Sequence, residues 1–169
     1  MRLYLIRHPR PVVADGICYG RTDLPLAAPV DEVATELRPL LPPDLPVFSS
    51  PLDRCYQLAL ALHPTPYVDT RLQEMHFGEW EMQAWQVLDR SALDTWAADP
   101  LGFAPPGGES PEQLQQRAIE FCTELSTDAI VVTHAGVIKA LSGWVSGLLP
   151  ADWIGLSFPF GSLTLLETR

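Results

Sequence analysis

Cysteine is scarce in this chain, and the three present, Cys18, Cys55 and Cys122, show no close Cys-x-x-Cys spacing. An odd count without paired spacing argues against a disulfide framework and against a zinc knuckle, so reduced thiols are expected. Runs of basic residues are absent too: the 11 Lys and Arg are scattered and outnumbered by 21 Asp and Glu, for a formal net charge of −10. A nucleic-acid surface built on phosphate neutralisation is therefore not expected. Nor is there a long hydrophobic run at the start. Met1-Arg2-Leu3-Tyr4-Leu5-Ile6-Arg7-His8 holds a short apolar stretch broken by charge, which reads as neither a secretory signal nor a membrane span. A soluble cytoplasmic protein without membrane partners is the expectation. No internal repeat or low-complexity segment is visible.

What is present suffices for a packed core. The 169 residues are 47% apolar and 19% charged, which argues against disorder and for one domain spanning 1–169. The acidic balance does not preclude binding a small anion. Screening limits distant charges to about 8 Å at physiological salt, so two or three arginines in a cleft dominate the field there.

Periodicity divides the chain into alternating elements. Leu3 to Ile6 reads as a strand that ends at Arg7-His8, where Pro9 and Pro11 cannot continue a ladder. Residues 15–29 carry Gly16, Gly20, Pro25 and Pro29 and read as an ordered loop. Val33, Leu37, Leu40 and Leu41 predict a short helix over 31–41, interrupted late by Pro39. Val47 to Ser50 is a short strand, and Ser50-Pro51 has the form of a helix N-cap followed by proline, predicting a helix to about Leu62. Met82, Trp85, Leu88, Leu93 and Trp96 suggest helix over 81–98, with an interruption at 89–91. Ser110-Pro111-Glu112-Gln113 is a capping box, opening a helix to about Ser126. Ala129 to Thr133 is a buried strand, His134-Ala135-Gly136 a turn, and Val137 to Leu148 a helix. Residues 156–166 read as one or two terminal strands. This alternation predicts an α/β fold, a mostly parallel sheet covered on both faces, with ligands bound beyond the carboxyl ends of the strands. His8 and His134 both lie at such ends.

Four segments carry chemistry. In Arg7-His8, a guanidinium can clamp phosphate oxygens while a neutral imidazole nitrogen attacks phosphorus, although such a pair also occurs by chance. The start of the helix after Ser50 offers amide groups, and Arg54 lies one turn in, a second anion clamp or an ordinary surface cation. Glu74 sits among Met75, Phe77 and Trp80, where partial burial would favour the protonated acid and suit a proton donor; Glu79 and Glu81 are rivals. Thr133-His134-Ala135-Gly136 sets an imidazole at a strand end before a helix N-terminus, a place for an anion or for a packed histidine.

Taken together and in order, these segments resemble the histidine phosphatases, the phosphoglycerate-mutase-like superfamily. Arg7-His8 resembles the start of its RHG motif, and Ser50-Pro51-Leu52-Asp53-Arg54-Cys55 its SPLxR segment. Glu74 with Phe77-Gly78-Glu79-Trp80 resembles its ExxxGxWE segment. Gly107-Gly108-Glu109-Ser110 and Thr133-His134-Ala135-Gly136 resemble its G-G-E-S and THGG-type motifs. The resemblance implies a three-layer αβα sandwich and a phosphatase that works without metal or other cofactor on a small phosphorylated metabolite. It implies His8 as the phosphorylated nucleophile, Arg7 and Arg54 as phosphate clamps, Glu74 as proton donor and His134 as stabiliser of the transferring group.

The chain departs from the pattern after the nucleophile, where Pro9, Arg10 and Pro11 replace the usual glycine and polar residues. Arg10 then becomes a candidate phosphate or substrate contact. Ala135 replaces one glycine beside His134, and close backbone approach to the phosphate remains feasible there. Cys18-Tyr19-Gly20-Arg21-Thr22-Asp23-Leu24-Pro25-Leu26 resembles a segment of α-ribazole phosphatases, which act on α-ribazole 5′-phosphate in cobalamin assembly. The short chain lacks the long insertions of the mutases, which favours hydrolysis. Two further possibilities are a phosphate- or phosphopeptide-binding module without turnover and a metal-dependent hydrolase using His8, His76 and His134, although no metal-ligand spacing supports three ligands.

Overall fold

The computed structural model describes residues 1–168. Strand β1 (Arg2–Arg7) runs through the centre of the molecule because its apolar run is continuous, as a strand buried on both faces requires. With β2 (Val47–Ser49), β3 (Tyr67–Val68), β4 (Ala129–Thr133) and β5 (Leu163–Glu167) it forms one sheet in the order β3-β2-β4-β1-β5. The first four are mutually parallel and β5 closes the edge antiparallel. The tail therefore supplies one strand.

Alternation along the strands builds two cores. Leu3, Leu5, Ala129 and Val131 face α4 (Pro111–Glu124) and α5 (Ala135–Ser146) through Leu114, Phe121, Ile138 and Leu141. Tyr4, Ile6, Ile130 and Val132 face the opposite layer, α1 (Asp31–Leu37) and α2 (Asp53–Leu62), through Leu37, Cys55 and Leu58. Helices on both faces make the three-layer αβα arrangement. Ser110 caps α4 with the reciprocal Gln113 bond its sequence predicts, an arrangement whose loss costs about 1 kcal/mol.

Register places the catalytic candidates. Arg7 pairs with Thr133 across β1 and β4, and the His8 N–H donates to the Thr133 carbonyl at 3.0 Å. The residues that follow the two strands, His8 and His134, must then emerge side by side. Ser49 pairs with Val132, which sets Ser50 at the same rim.

Three elements differ from the periodicity, one of them the two-residue strand β3, which was not anticipated. The helix expected over 81–98 exists only as α3 (Arg90–Ala98), preceded by separate single turns at Gly78–Trp80 and Trp85–Val87. The reason is pairing elsewhere: Met82 N–H donates to Cys18 O, Cys18 N–H to Gln83 O and Trp85 N–H to Gly16 O, with Met82 at φ 64°. The helical spacing of the aromatics reflects a satellite core instead, in which Trp80, Trp85, Trp96 and Phe103 pack on one another. The short helix α6 (Pro150–Ile154) was not anticipated.

Candidate active site

The His8 ring is 2% exposed, and its Nδ1 lies 2.6 Å from the carbonyl oxygen of Pro9. A carbonyl only accepts, so Nδ1 carries the proton and Nε2 keeps its lone pair. Proline retains the one backbone group this orientation needs. Burial pushes the His8 pKa down to about 3; the charges of Arg54 and Arg7 add to the fall, and the Pro9 bond opposes it. The ring is thus neutral across the physiological range.

His134 stands beside it, ring centroids 5.0 Å apart and nearly edge to face. It is completely buried, and burial first, then Arg54, holds its pKa well below the usual histidine value. Its Nε2 lies 2.8 Å from Ser50 Oγ and 3.3 Å from Cys55 Sγ, while Nδ1 meets only the same sulfur at 3.9 Å. Ser50 Oγ also accepts from Leu52 N–H at 3.3 Å, but Leu52 is extended, so this contact does not cap α2 as expected. Helix α2 begins two residues later than the motif suggests, after Leu52, and its Asp53 N–H is taken by the carboxylate of Asp23 at 2.9 Å. The amides expected there for an anion are not what makes the second clamp.

Arg54 itself is. It is fully buried, with Nε 3.4 Å from His8 Nε2, Nη1 donating to Thr22 O at 2.8 Å and Nη2 donating to Gly20 O. The Gly20–Thr22 loop that holds it is organised by Glu81, whose two oxygens accept from the N–H groups of Gly20, Arg21, Thr22 and Phe77 and from the Thr22 hydroxyl. Burial alone would raise the Glu81 pKa, but these bonds outweigh it and the carboxyl is held below its usual value. Glu81 is therefore an anchor, and Glu79 is exposed.

Glu74 is placed differently. Its carboxylate accepts from Met75 N–H at 2.9 Å and from Gly136 N–H at 3.1 Å, at the first turn of α5. A Cβ on Gly136 would collide with Glu74 Oε1, so the close approach that matters falls on Gly136 rather than on Ala135. The Glu74 backbone is pinned from behind by Arg117, which also binds Glu109 and the carbonyls of Arg71 and Gln73.

Arg7, His8, Glu74 and Ala135 line one cavity of about 480 Å³; His134 and Arg54 lie behind its wall. Arg7 is fixed by Nη1 to Phe158 O and by the Phe160 ring 3.8 Å from its Cζ. Burial lowers its pKa. Arg10 is exposed, outside the cavity lining, with its guanidinium 5.1 Å from the same ring. His76 lies apart, accepting from Gly78 N–H and lining a separate polar groove with Arg21, Glu109 and Arg117. Among the described residues no three His, Cys, Asp or Glu side chains are grouped to hold a metal ion.

Sequence reasoning missed the walls. Tyr19, Phe77, Trp85, Trp96, Trp153 and Lys139 line the cavity. The density of aromatics between 77 and 103 was the available signal, though the spacing alone assigned them to a helix face. Arg117 had no local signature, and the segments that single out Glu109 and Glu81 did not show their anchoring roles, which lie in contacts distant along the chain.

Known proteins resemble this chain over most of its length. A curated Escherichia coli adenosylcobalamin/alpha-ribazole phosphatase is 33% identical, covering 100% of this chain and 97% of its own. A putative phosphoserine phosphatase 2 of Hydrogenobacter thermophilus is 31% identical over 87% of this chain and 79% of its own. Among solved structures, a phosphoglycerate mutase of Thermus thermophilus superposes with a TM-score of 0.80 at 34% identity, covering 99% of this chain and 93% of that one. A mycobacterial glucosyl-3-phosphoglycerate phosphatase does so with 0.83 at 28% identity, covering 97% and 88%. The family model of the histidine phosphatase superfamily (branch 1) matches residues 3–169, and the chain belongs to that superfamily.

Proposed function

We propose that this phosphatase hydrolyses a phosphomonoester through a phosphohistidine on His8, with no metal ion taking part. The observation that carries the proposal is the His8 ring itself: buried, neutral, tautomerically fixed by Pro9 O, and with Nε2 set against the Arg54 guanidinium. Nε2 attacks phosphorus as the bond to the ester oxygen breaks, and protonated Glu74 gives its proton to the leaving alkoxide. Ionised Glu74 then takes a proton from water, which attacks phosphorus; the P–N bond breaks and its electrons return to Nε2. Inorganic phosphate leaves and His8 is neutral again. Arg7 and Arg54 supply fixed positive charge and the His134 Nδ1 a donor to the equatorial oxygens, while Arg10, outside the cavity lining, attracts the anion at longer range and the Ala135 backbone seats it.

The cavity walls point to the substrate. Ile17, Tyr19, Phe77, Trp85, Trp96 and Trp153 suit a leaving group with a planar apolar body. α-Ribazole 5′-phosphate has one, whereas phosphoserine presents only an ammonium and a carboxylate. Hydrolysis rather than mutase transfer is the assigned outcome, and the substrate is a small cytoplasmic metabolite in this account. The test is kcat/KM on α-ribazole 5′-phosphate, phosphoserine and p-nitrophenyl phosphate, with and without EDTA. The expected result is a preference for α-ribazole 5′-phosphate that EDTA leaves unchanged. No His8-dependent phosphate release from any of them would favour a binding module, and loss with EDTA restored by zinc or manganese would favour a metallohydrolase.

A further inference from the structure

The chain contains a single lysine, Lys139, and it lines the cavity that holds His8. Ala135, Gly136 and Lys139 share one stripe of α5 at three- and four-residue spacing, so the ammonium stands one turn beyond the Gly136 N–H that binds Glu74. Lys139 is half-buried. Its Nζ donates to Ile154 O at 3.0 Å, and among the described residues it has no carboxylate at ion-pair distance. An ammonium carries three donors, and removing one from water without pairing it is costly. Burial lowers its pKa, with the Glu74 charge opposing that fall and the Arg7 charge adding to it. The reaction proposed above gives this group no task.

Charge balance narrows what it can meet. Glu74 enters the proposed reaction protonated and both histidines are neutral, so Arg7 and Arg54 already match a phosphomonoester dianion at His8. Lys139 is then left for the leaving group. We infer that Lys139 is a leaving-group anchor that donates a hydrogen bond to an oxygen of the alcohol, as a sugar hydroxyl or ring ether presents, and so selects phosphate esters of sugar-bearing alcohols over those of alcohols without such an oxygen. The inference rests on the phosphoryl group lying at His8.

A single lysine makes the test direct. Lysine isotope-labelled at Cε gives one resonance, followed in His8→Ala protein so that no ester is consumed. Saturation with α-ribazole 5′-phosphate, or with adenosine 5′-monophosphate as a second ribosyl ester, is expected to shift it; phenyl phosphate and inorganic phosphate are not. An equal shift with phenyl phosphate, or none with either ribosyl ester, overturns the inference. In kinetics, Lys139→Met is expected to lower kcat/KM about tenfold more on the ribosyl ester than on phenyl phosphate, with Lys139→Arg restoring most of the difference. Equal losses on both esters overturn it. Failure of the phosphohistidine mechanism would show separately, as turnover that survives loss of His8, while the lysine resonance would still report which ester it touches.

Discussion

Arg54 Nε stands 3.4 Å from His8 Nε2 while the other two guanidinium nitrogens hold the carbonyls of Gly20 and Thr22. The charge beside the proposed nucleophile is therefore only as well placed as the Gly20–Thr22 loop, and that loop hangs on Glu81.

Glu81→Gln tests this dependence. Both carboxylate oxygens accept from donors, Oε1 from Arg21 and Phe77 and Oε2 from Gly20 and Thr22, so an amide nitrogen must face N–H groups whichever way it turns. Denaturant unfolding should show a loss of about 1–3 kcal/mol. kcat/KM should fall by about tenfold or more, with His8 untouched. Unchanged activity would show that the loop holds Arg54 without Glu81.

Glu74→Gln separates proton donation from positioning. The amide keeps an oxygen for Gly136 N–H but cannot protonate an alkoxide, so loss should be about 10²–10⁴ on an alkyl phosphate. p-Nitrophenol leaves readily without a proton, and the loss there should be much smaller. Equal losses on both would remove Glu74 from the acid role.

Gly136→Ala addresses the same carboxylate from the backbone. The added methyl would occupy the space of Glu74 Oε1, and the surrounding walls, including Leu114, leave little room for relief. A fall in kcat of about tenfold or more on the alkyl ester is expected, with the p-nitrophenyl ester again less affected.

The buried imidazoles make stability depend on pH. His8 is pushed down to about 3 by burial and by Arg54 and Arg7, and His134 falls well below its ordinary value for the same leading reason. In the unfolded chain both return to about 6.5, so only the unfolded state binds these protons in between. Their contribution is fully present above about pH 6.5 and is lost as pH falls, for His8 toward about 3 at about 1.4 kcal/mol per pH unit. His8→Gln, unfolded in denaturant between about pH 6 and about pH 5, should show a slope shallower by about that amount. Identical slopes would mean that His8 is protonated in the folded state.

Much of the framework was legible in the chain because it is written locally. The continuous run Leu3 to Ile6, the buried Ala129 to Thr133 and the Ser110–Gln113 capping box each specify their element through neighbours in sequence. His8, Arg54, Glu74 and His134 were recognisable as a set, but not how they divide between the cavity and the layer behind it. Ser50 was misjudged as the cap of α2 because Leu52 stays extended, and its hydroxyl is shared between Leu52 N–H and His134, the latter contact made only when β2 and β4 align. The segment 81–89 was misjudged as helix because residues 16–18 compete for its backbone. Lys139 and Trp153 carried no motif; their place in the cavity depends on how α5 and α6 pack.

The central claim is a covalent bond between phosphorus and His8 Nε2, and rapid quenching tests it most directly. Enzyme mixed with phosphate-radiolabelled substrate and quenched in base within the first turnover should carry an acid-labile, base-stable label. Peptide mapping should place that label on His8, and the His8→Ala protein should carry none. Steady turnover of the wild-type enzyme with no such label at His8, under conditions where hydrolysis of the phosphoenzyme is the slow step, would contradict the account.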